Sequence, residues 1–169
     1  MRPFVVGDAP LIFVLNSDPE VLRFTRDPFR DLAHAEQVLL DVILPQYVVA
    51  GMGRLALHRR RDGAFVGWCG LKRGPDGEVD LGYRLARAAW GEGLATEAAR
   101  ACLAHGLGPL GLPRVVGRAA VENHASIAVL RKCGMRALGR SLDEGELVET
   151  YEALGAPADG SGPPPGAAR

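Results

Sequence analysis

The order of apolar and polar positions predicts helices in the first third of the chain. Three helices are expected, beginning at Asp8, at Asp18 and at Leu32, the last running to about Val49. Asp8 and Asp18 stand where N-caps are favoured, because a carboxylate can accept an N–H that has no partner within the helix. Pro45 cannot donate a backbone hydrogen bond, so a break or kink is predicted near the end of the third helix.

Alternation with a period of two then predicts a run of strands. Two antiparallel strands, 54–57 and 64–71, flank a turn at Arg61-Asp62-Gly63, and a third runs from Glu78 to Leu85. The remaining predicted elements are a helix from Gly93 to about Leu107, a strand over 114–121, a helix from Asn123 to Lys132, and strands near 135–139 and 147–154.

These elements predict one α/β domain over residues 1–154. Six or seven strands in one sheet and about four helices are expected, in the order β-α-α-β-β-β-α-β-α-β-β. A chain of 169 residues can bury ~70% of the surface that it exposes when unfolded. Residues 155–169 are rich in proline, glycine and alanine, which predicts a disordered tail.

Composition narrows the classes of function. Twenty basic and twenty acidic side chains cancel, so neither a general nucleic-acid binder nor a membrane-surface binder is expected. The basic run from His58 to Arg61 is interpreted as a solvated turn, with a nucleic-acid patch as the alternative. The three cysteines lie among apolar neighbours without metal-ligand spacing, and no leader or long apolar segment is seen. A cytoplasmic protein without a metal is therefore predicted.

A glycine-rich segment at the start of the fourth predicted helix carries the first chemical signal. It reads Trp90-Gly91-Glu92-Gly93-Leu94-Ala95-Thr96. Small residues allow an anion to approach the backbone, and the first N–H groups of a helix carry partial positive charge. The segment suits a pyrophosphate, although an ordinary tight turn before a helix has the same pattern. Its spacing fits neither the dinucleotide motif nor the P-loop.

A second segment makes the combination specific. Trp90-Gly-Glu-Gly-Leu-Ala-Thr-Glu-Ala98 together with Asn123-x-x-Ser126-x-x-x-Leu130-x-Lys132-x-Gly134-Met135 resembles the GNAT acetyltransferases. The nearest branch is similar to the ribosomal-protein N-terminal (alanine/serine) acetyltransferases. Two upstream segments, Leu15 to Val21 and Val66 to Leu71, also resemble that branch, so the likeness covers roughly residues 1 to 154.

The resemblance implies a central mixed, mostly antiparallel sheet that is splayed between strands 78–85 and 114–121, with the pantetheine arm of acetyl-CoA inserted in the cleft. The arm would pair with backbone groups of one strand, amides of the glycine-rich segment would hold the pyrophosphate, and the Asn123 side chain would bond the pantetheine or thioester region. Trp90 replaces the Arg or Gln of the wider superfamily. The residues expected to contact the coenzyme are Tyr83, Leu85, Trp90, Gly91, Glu92, Gly93, Leu94, Ala95, Thr96, Asn123 and Ser126.

Ser126 is the candidate acid for the departing thiolate. Many family members use a tyrosine four residues before the helix-ending glycine, and that position is Leu130 here. Ser126 lies one turn earlier on the same face and supplies the remaining hydroxyl. The alternative is ordinary capping, in which Asn123 is the N-cap and Ser126 bonds the local backbone.

Asp80 is the candidate base. The branch commonly has glutamate at this position, and the shorter aspartate could accept the proton of the amine through water or attract its ammonium form. Alternation places Asp80, Gly82 and Arg84 on one strand face and Leu81, Tyr83 and Leu85 on the other. A charge on an exposed strand face is the competing interpretation.

The sequence thus predicts an acetyl-CoA-dependent N-acyltransferase that acts as a monomer or a homodimer. The acceptor is expected between about Ser17 to Arg30 and about Arg140 to Glu146, where acidic side chains favour a cationic primary amine. A peptide or protein N-terminus and a small-molecule amine both fit. Two alternatives remain, a non-catalytic acyl-CoA-binding regulatory domain and an unrelated nucleotide-binding module.

Overall fold

The computed structural model describes residues 1–25, 27–143 and 145–156. Most of the predicted tail, residues 157–169, lies outside this part of the chain. No helix within the described ranges is long and apolar enough to cross a membrane.

The five helices predicted individually are all present, although the expected total was about four, and the strands follow the predicted order. The strands are β1 (Arg2–Pro3), β2 (Arg54–His58), β3 (Phe65–Arg73), β4 (Val79–Leu85), β5 (Arg114–Ala120), β6 (Arg136–Asp143) and β7 (Glu146–Leu154). The helices are α1 (Ala9–Leu15), α2 (Pro19–Leu22), α3 (Leu32–Val38), α4 (Leu44–Ala50), α5 (Leu94–Leu107) and α6 (His124–Lys132). Helices α3 and α4 form one continuous rod with a π-helical segment, Leu39–Ile43, so the described residues form about five helices.

All seven strands form one sheet in the order β1-β2-β3-β4-β5-β7-β6. Every neighbouring pair is antiparallel except β4 and β5, which are parallel and share the single register pair Asp80↔Val116. The two strands therefore diverge beyond this pair. The predicted fold class and the splay between these strands are confirmed.

Two apolar cores cover the two faces of the sheet. One core joins α5 and α6 to the sheet through residues that include Cys69, Leu81, Leu85, Ala99, Ile127 and Leu130. The other joins α1 and the α3–α4 rod to the sheet through residues that include Phe4, Ile12, Ala35, Leu39 and Ala56. One face of β4 is covered by the first of these cores through Val79, Leu81 and Leu85, and the side toward β5 is open beyond the pair of Asp80 and Val116.

Asp8 does not cap α1 with its side chain, contrary to expectation. Its carboxylate accepts hydrogen bonds from Arg2 Nη1 and Nη2 at 2.6 and 2.8 Å, and from the backbone N–H of Val5 at 2.9 Å. Two charge-assisted bonds from a guanidinium outweigh one helix-end N–H. The pair fixes β1 at the edge of the sheet.

Pro45 produces a change of helix type rather than a break. Proline lacks the N–H that would bond the preceding turn, and the helix widens to π geometry over Leu39–Ile43 before resuming as α4. The rod then ends at Gly51, whose φ is +61°.

The segment expected to be a loop, about Arg140 to Glu146, is mostly strand. Arg140 pairs with Glu149 and Asp143 with Glu146, so β6 and β7 form a hairpin whose turn contains Gly145 at φ +82°. Glu144 lies outside the described residues. The extension of β6 to Asp143 was not predicted, because every residue of this edge strand is exposed and its side chains do not alternate between a buried and an exposed face.

Candidate active site

The open side of β4 presents backbone groups to the cleft. The N–H of Ala86 bonds the carbonyl of Val66 at 2.9 Å, which places residue 86 in a hydrogen-bonded pair with β3. Because such pairs alternate along antiparallel strands, the N–H and C=O groups of Tyr83 and Leu85 point away from β3 and toward β5. These are the two residues whose backbone was expected to meet pantetheine.

The glycine-rich segment connects β4 to α5 with two left-handed residues. Gly91 and Gly93 have φ of +78° and +79°, and Gly93 is the N-cap residue of α5. A Cβ at either glycine would meet no heavy atom within 4 Å, so open space lies beside both. Leu94, Ala95 and Thr96 form the first helical turn, whose N–H groups have no acceptor within the helix. This geometry fits the predicted anion site.

Trp90 and Glu92 hold the segment from its two sides. The indole N–H of Trp90 donates to the carbonyl of Leu85 at 2.8 Å while half of the residue stays exposed. Arg59 Nη1 lies 3.0 Å from the Glu92 carboxylate, and an Arg61 nitrogen lies 3.8 Å from it. The basic run interpreted as a solvated turn therefore also braces this segment. No local signal could reveal that contact, since the partners are about thirty positions apart.

Asn123 and Ser126 meet at the start of α6. The Asn123 side-chain oxygen accepts from the Ser126 N–H at 3.0 Å, which makes Asn123 a regular N-cap. The Asn123 amide nitrogen is not used in that bond and stays available for a ligand. The capping interpretation is therefore correct for Asn123, and it involves the backbone of Ser126 rather than its hydroxyl.

The Ser126 hydroxyl has a partner that sequence reasoning missed. Its Oγ lies 2.8 Å from the phenolic oxygen of Tyr83, and the same phenol donates to the Ser126 carbonyl at 3.0 Å. Burial raises the pKa of Tyr83, against the opposing effect of its hydrogen bond with Ser126. The phenol thus stays protonated and bridges β4 to α6 across the cleft. Alternation placed Tyr83 on this face, but it could not identify the contact.

Asp80 occupies the opposite face of β4, at the register pair where the sheet splits. Its carboxylate lies 3.6 Å from Arg118 Nη1, and its side chain is 40% exposed. Burial raises the pKa of Asp80, and the cations Arg118, Arg54 and Lys72 lower it to a smaller extent. A carboxyl group in this position is reachable from solvent and holds its proton more readily than usual.

A cavity of about 260 Å³ is bordered by the two segments expected to bound the acceptor and by Arg118, the ion-pair partner of Asp80. It is lined by Phe24, Thr25, Arg118, Ala119, Ala120, Asp143, Glu146 and Val148. A larger cavity of about 780 Å³ lies between α1, α2 and the start of the segment after β4. Its walls are mostly apolar, with Arg87 and Asp18 3.8 Å apart at its edge.

A sheet that opens between two parallel strands, beside a glycine-rich helix start, defines an acyltransferase of the GNAT type. The family model described as "Acetyltransferase (GNAT) domain" matches residues 1–136 of this chain. The chain belongs to the GNAT acetyltransferase family and is an acyltransferase. Among the described residues, no group of three or more His, Cys, Asp or Glu side chains could hold a metal ion.

Individual relatives agree with this assignment. The uncharacterized N-acetyltransferase p20 of Bacillus licheniformis is 27% identical over 158 residues, 89% of this chain and 88% of the relative. FsC-acetyl coenzyme A-N(2)-transacetylase of Aspergillus fumigatus is 35% identical over 132 residues, 72% of this chain but only 55% of that protein.

Solved structures share the fold. An acetyltransferase from Agrobacterium tumefaciens has a TM-score of 0.74 at 28% identity, covering 89% of this chain and 88% of that one. Spermidine N-acetyltransferase from Vibrio cholerae, solved with CoA and spermine, has a TM-score of 0.75 at 17% identity, covering 90% and 93%. At 17% identity, the likeness to the spermidine N-acetyltransferase concerns the fold alone.

Proposed function

We propose that this chain is an acetyl-CoA-dependent N-acetyltransferase that moves the acetyl group directly to a primary amine. The observation that carries the proposal is the placement of Ser126 and Asp80 on opposite faces of the splayed sheet, beside the glycine-rich segment. Coenzyme and acceptor can then approach one cleft from two sides. The relatives support an amine, since one is named a spermidine N-acetyltransferase and another an N(2)-transacetylase.

The coenzyme would bind along the open side of β4. Its pantetheine arm pairs with backbone groups of Tyr83 and Leu85, its pyrophosphate lies over the amides from Gly91 to Thr96, and the Asn123 amide nitrogen bonds the pantetheine or thioester region. Trp90 already occupies one lone pair of the Leu85 carbonyl, which leaves the second lone pair for the arm. The positive end of α5 favours the phosphate charge.

The proposed acetyl transfer uses groups on both faces of the sheet. The neutral amine nitrogen attacks the thioester carbonyl carbon, and a backbone N–H of β4 bonds the oxyanion that develops. The C–S bond breaks as the tetrahedral intermediate collapses, and the Ser126 hydroxyl donates a proton to the departing thiolate. The proton that the amine loses passes to Asp80 through water, so one proton is released and one is taken up.

Turnover with an amine panel is the first test. Purified protein with acetyl-CoA is offered peptides with free N-termini, amino acids, polyamines and aminocyclitols while thiol release is recorded. We expect saturable CoA release with at least one class. If calorimetry shows acetyl-CoA binding and no amine releases CoA, the chain is a coenzyme-binding domain and the proposal is wrong. Peptides with N-terminal alanine or serine test the likeness to the ribosomal-protein branch.

The Ser126 role is tested with the best amine. Ser126→Ala should lower kcat by ~10²-fold with acetyl-CoA affinity nearly unchanged, because the proton is needed in the transition state. Ser126→Thr keeps a hydroxyl and is the matched control, for which most of kcat should remain. Equal kcat for the alanine variant and the parent would assign proton donation to water.

A further inference from the structure

Two arginine side chains share one tryptophan on the acceptor-facing side of the sheet. The guanidinium carbon of Arg54 lies 4.6 Å from the centroid of the Trp68 ring, and that of Arg84 lies 5.6 Å from it. Arg84 is buried and donates to Asn16 Oδ1 and Asp27 Oδ1, each at 2.8 Å. Its charge is therefore neutralised within the protein.

Arg54 differs from Arg84 in having no such counter-ion. No carboxylate among the described residues forms an ion pair with its guanidinium, whereas Arg84 pairs with Asp27 and Arg118 with Asp80. Burial lowers the pKa of Arg54, the nearby charge of Arg84 lowers it further, and Asp27 and Asp80 only partly oppose this. A largely desolvated cation beside a second cation is unfavourable unless an anion completes the site.

Stacking on Trp68 does not remove this imbalance. A cation gains from the negative face of an indole ring, but both guanidiniums draw on the same ring and repel one another. The two guanidiniums therefore leave positive charge at this position that a bound anion would balance. A planar guanidinium held against an aromatic ring also presents its N–H groups in a fixed fork that matches a carboxylate.

The cluster lies next to the proposed reaction centre. A Cβ added to Gly82 would lie 3.2 Å from the Trp68 ring and 3.9 Å from the Asp80 carboxylate, so Trp68 and Asp80 are neighbours on one face of β4. On its other side Asp80 meets Arg118, which lines the cavity of about 260 Å³. A small acceptor could therefore reach Asp80 and Arg54 together.

We infer that Arg54, held against Trp68, binds an anionic group of the acceptor, so that the acceptor is an amine that also carries a carboxylate. An amino acid has this chemistry, with its amino group near Asp80 and its carboxylate near Arg54. A polyamine would place further positive charge beside the two arginines and should be a poor substrate. This inference rests on the proposed function and names its substrate class.

Matched substrate pairs test the inference. Glycine, β-alanine and 4-aminobutyrate are each compared with the corresponding amide, alongside 1,4-diaminobutane and phosphoethanolamine. We expect kcat/KM to be at least ~10-fold higher for one or more of the carboxylates than for the amide, a difference of ~1.4 kcal/mol. Arg54→Met should reduce that ratio to about one, and Arg73→Met, a change at the far end of β3, should not. A preference for phosphoethanolamine over every carboxylate, or an unchanged ratio in Arg54→Met, would overturn the inference.

A binding measurement separates this inference from the proposed function. Replacing Trp90 with phenylalanine leaves Trp68 as the sole tryptophan, whose fluorescence then reports the occupancy of the cluster. In that background, N-acetylglycine should produce a saturable change that N-acetylglycinamide does not, and Arg54→Met should abolish it. If acetyl transfer fails but this change is present, the anion site stands and the proposed function fails. If the two compounds behave alike, the anion site is wrong whatever the enzyme acetylates.

Discussion

Replacement of Gly93 by valine should separate the coenzyme role of the glycine-rich segment from its conformational role. Gly93 has φ of +79° and serves as the N-cap residue of α5. A residue with a Cβ in this left-handed conformation costs roughly 1–2 kcal/mol. Because a Cβ there meets nothing within 4 Å, the protein alone adds no clash, and the stability loss should stay near that range.

Acetyl-CoA affinity should fall for a different reason. The space in front of Gly93 is where the pyrophosphate would contact the backbone, and a branched side chain would occupy it. We expect a loss of at least tenfold in affinity, ~1.4 kcal/mol or more, measured by isothermal titration calorimetry on protein whose circular dichroism spectrum is unchanged.

Gly77→Val is the matched control. Gly77 has φ of +86°, and its added Cβ would also meet nothing within 4 Å, but it lies in the turn between β3 and β4. The two variants should lose similar stability, and only the Gly93 variant should lose affinity. Equal affinities for parent and Gly93→Val would refute the phosphate assignment, while equal losses in both variants would show that backbone strain alone weakens binding.

Three further predictions concern charged side chains. Arg59→Ala leaves the Glu92 carboxylate without its nearest cation, so acetyl-CoA affinity should fall, and calorimetry should show a smaller loss at high salt. Because the pKa of Asp8 is lowered in the folded protein, the Asp8 carboxylate contributes fully to the free energy of unfolding at neutral pH, and this contribution is lost as pH falls below 3.8. In urea unfolding, Asp8→Asn should be less stable than the parent by about 2 kcal/mol at pH 7, and this difference should shrink in acid. The raised pKa of Asp80 means that its carboxylate is already being protonated at a pH above 3.8, so kcat/KM should begin to decline there on acidification. The activity that Asp80→Asn loses should recover as pH rises.

The fold could be predicted because its signals are local. Period-two alternation, turn glycines and an asparagine cap define β2 to β5, α5 and α6 within short windows, and the family resemblance supplied the mixed, splayed sheet. The expected cap at Asp8 failed because a nearby charged group competes for its carboxylate. Asp8 has the position of a cap, but Arg2 supplies two stronger bonds.

The site was predictable only as far as backbone chemistry reaches. Glycines with positive φ and a helix N-terminus follow from residue type and spacing, so a candidate anion site could be proposed without a structure. Side-chain partners across the sheet could not be found in this way. The contacts of Arg59 with Glu92 and of Arg54 with Trp68 join residues of different strands and loops, and no periodicity encodes which guanidinium lacks a carboxylate.

The contact between Tyr83 and Ser126 bears on why a leucine is tolerated at position 130. A tyrosine on α6 would place one phenol directly at the thiolate, whereas here Leu130 is buried in the core and the phenol comes from β4. Since the Tyr83 phenol stays protonated, it can hold the Ser126 hydroxyl in position, and Ser126 regains its proton from solvent after transfer. In the proposed mechanism Ser126 is therefore the acid and Tyr83 is its positioning partner, and their geometry depends on the same strand that binds pantetheine. Loss of the Tyr83 phenol should then lower kcat more than it raises the KM for acetyl-CoA, because the backbone groups that hold the coenzyme remain in place.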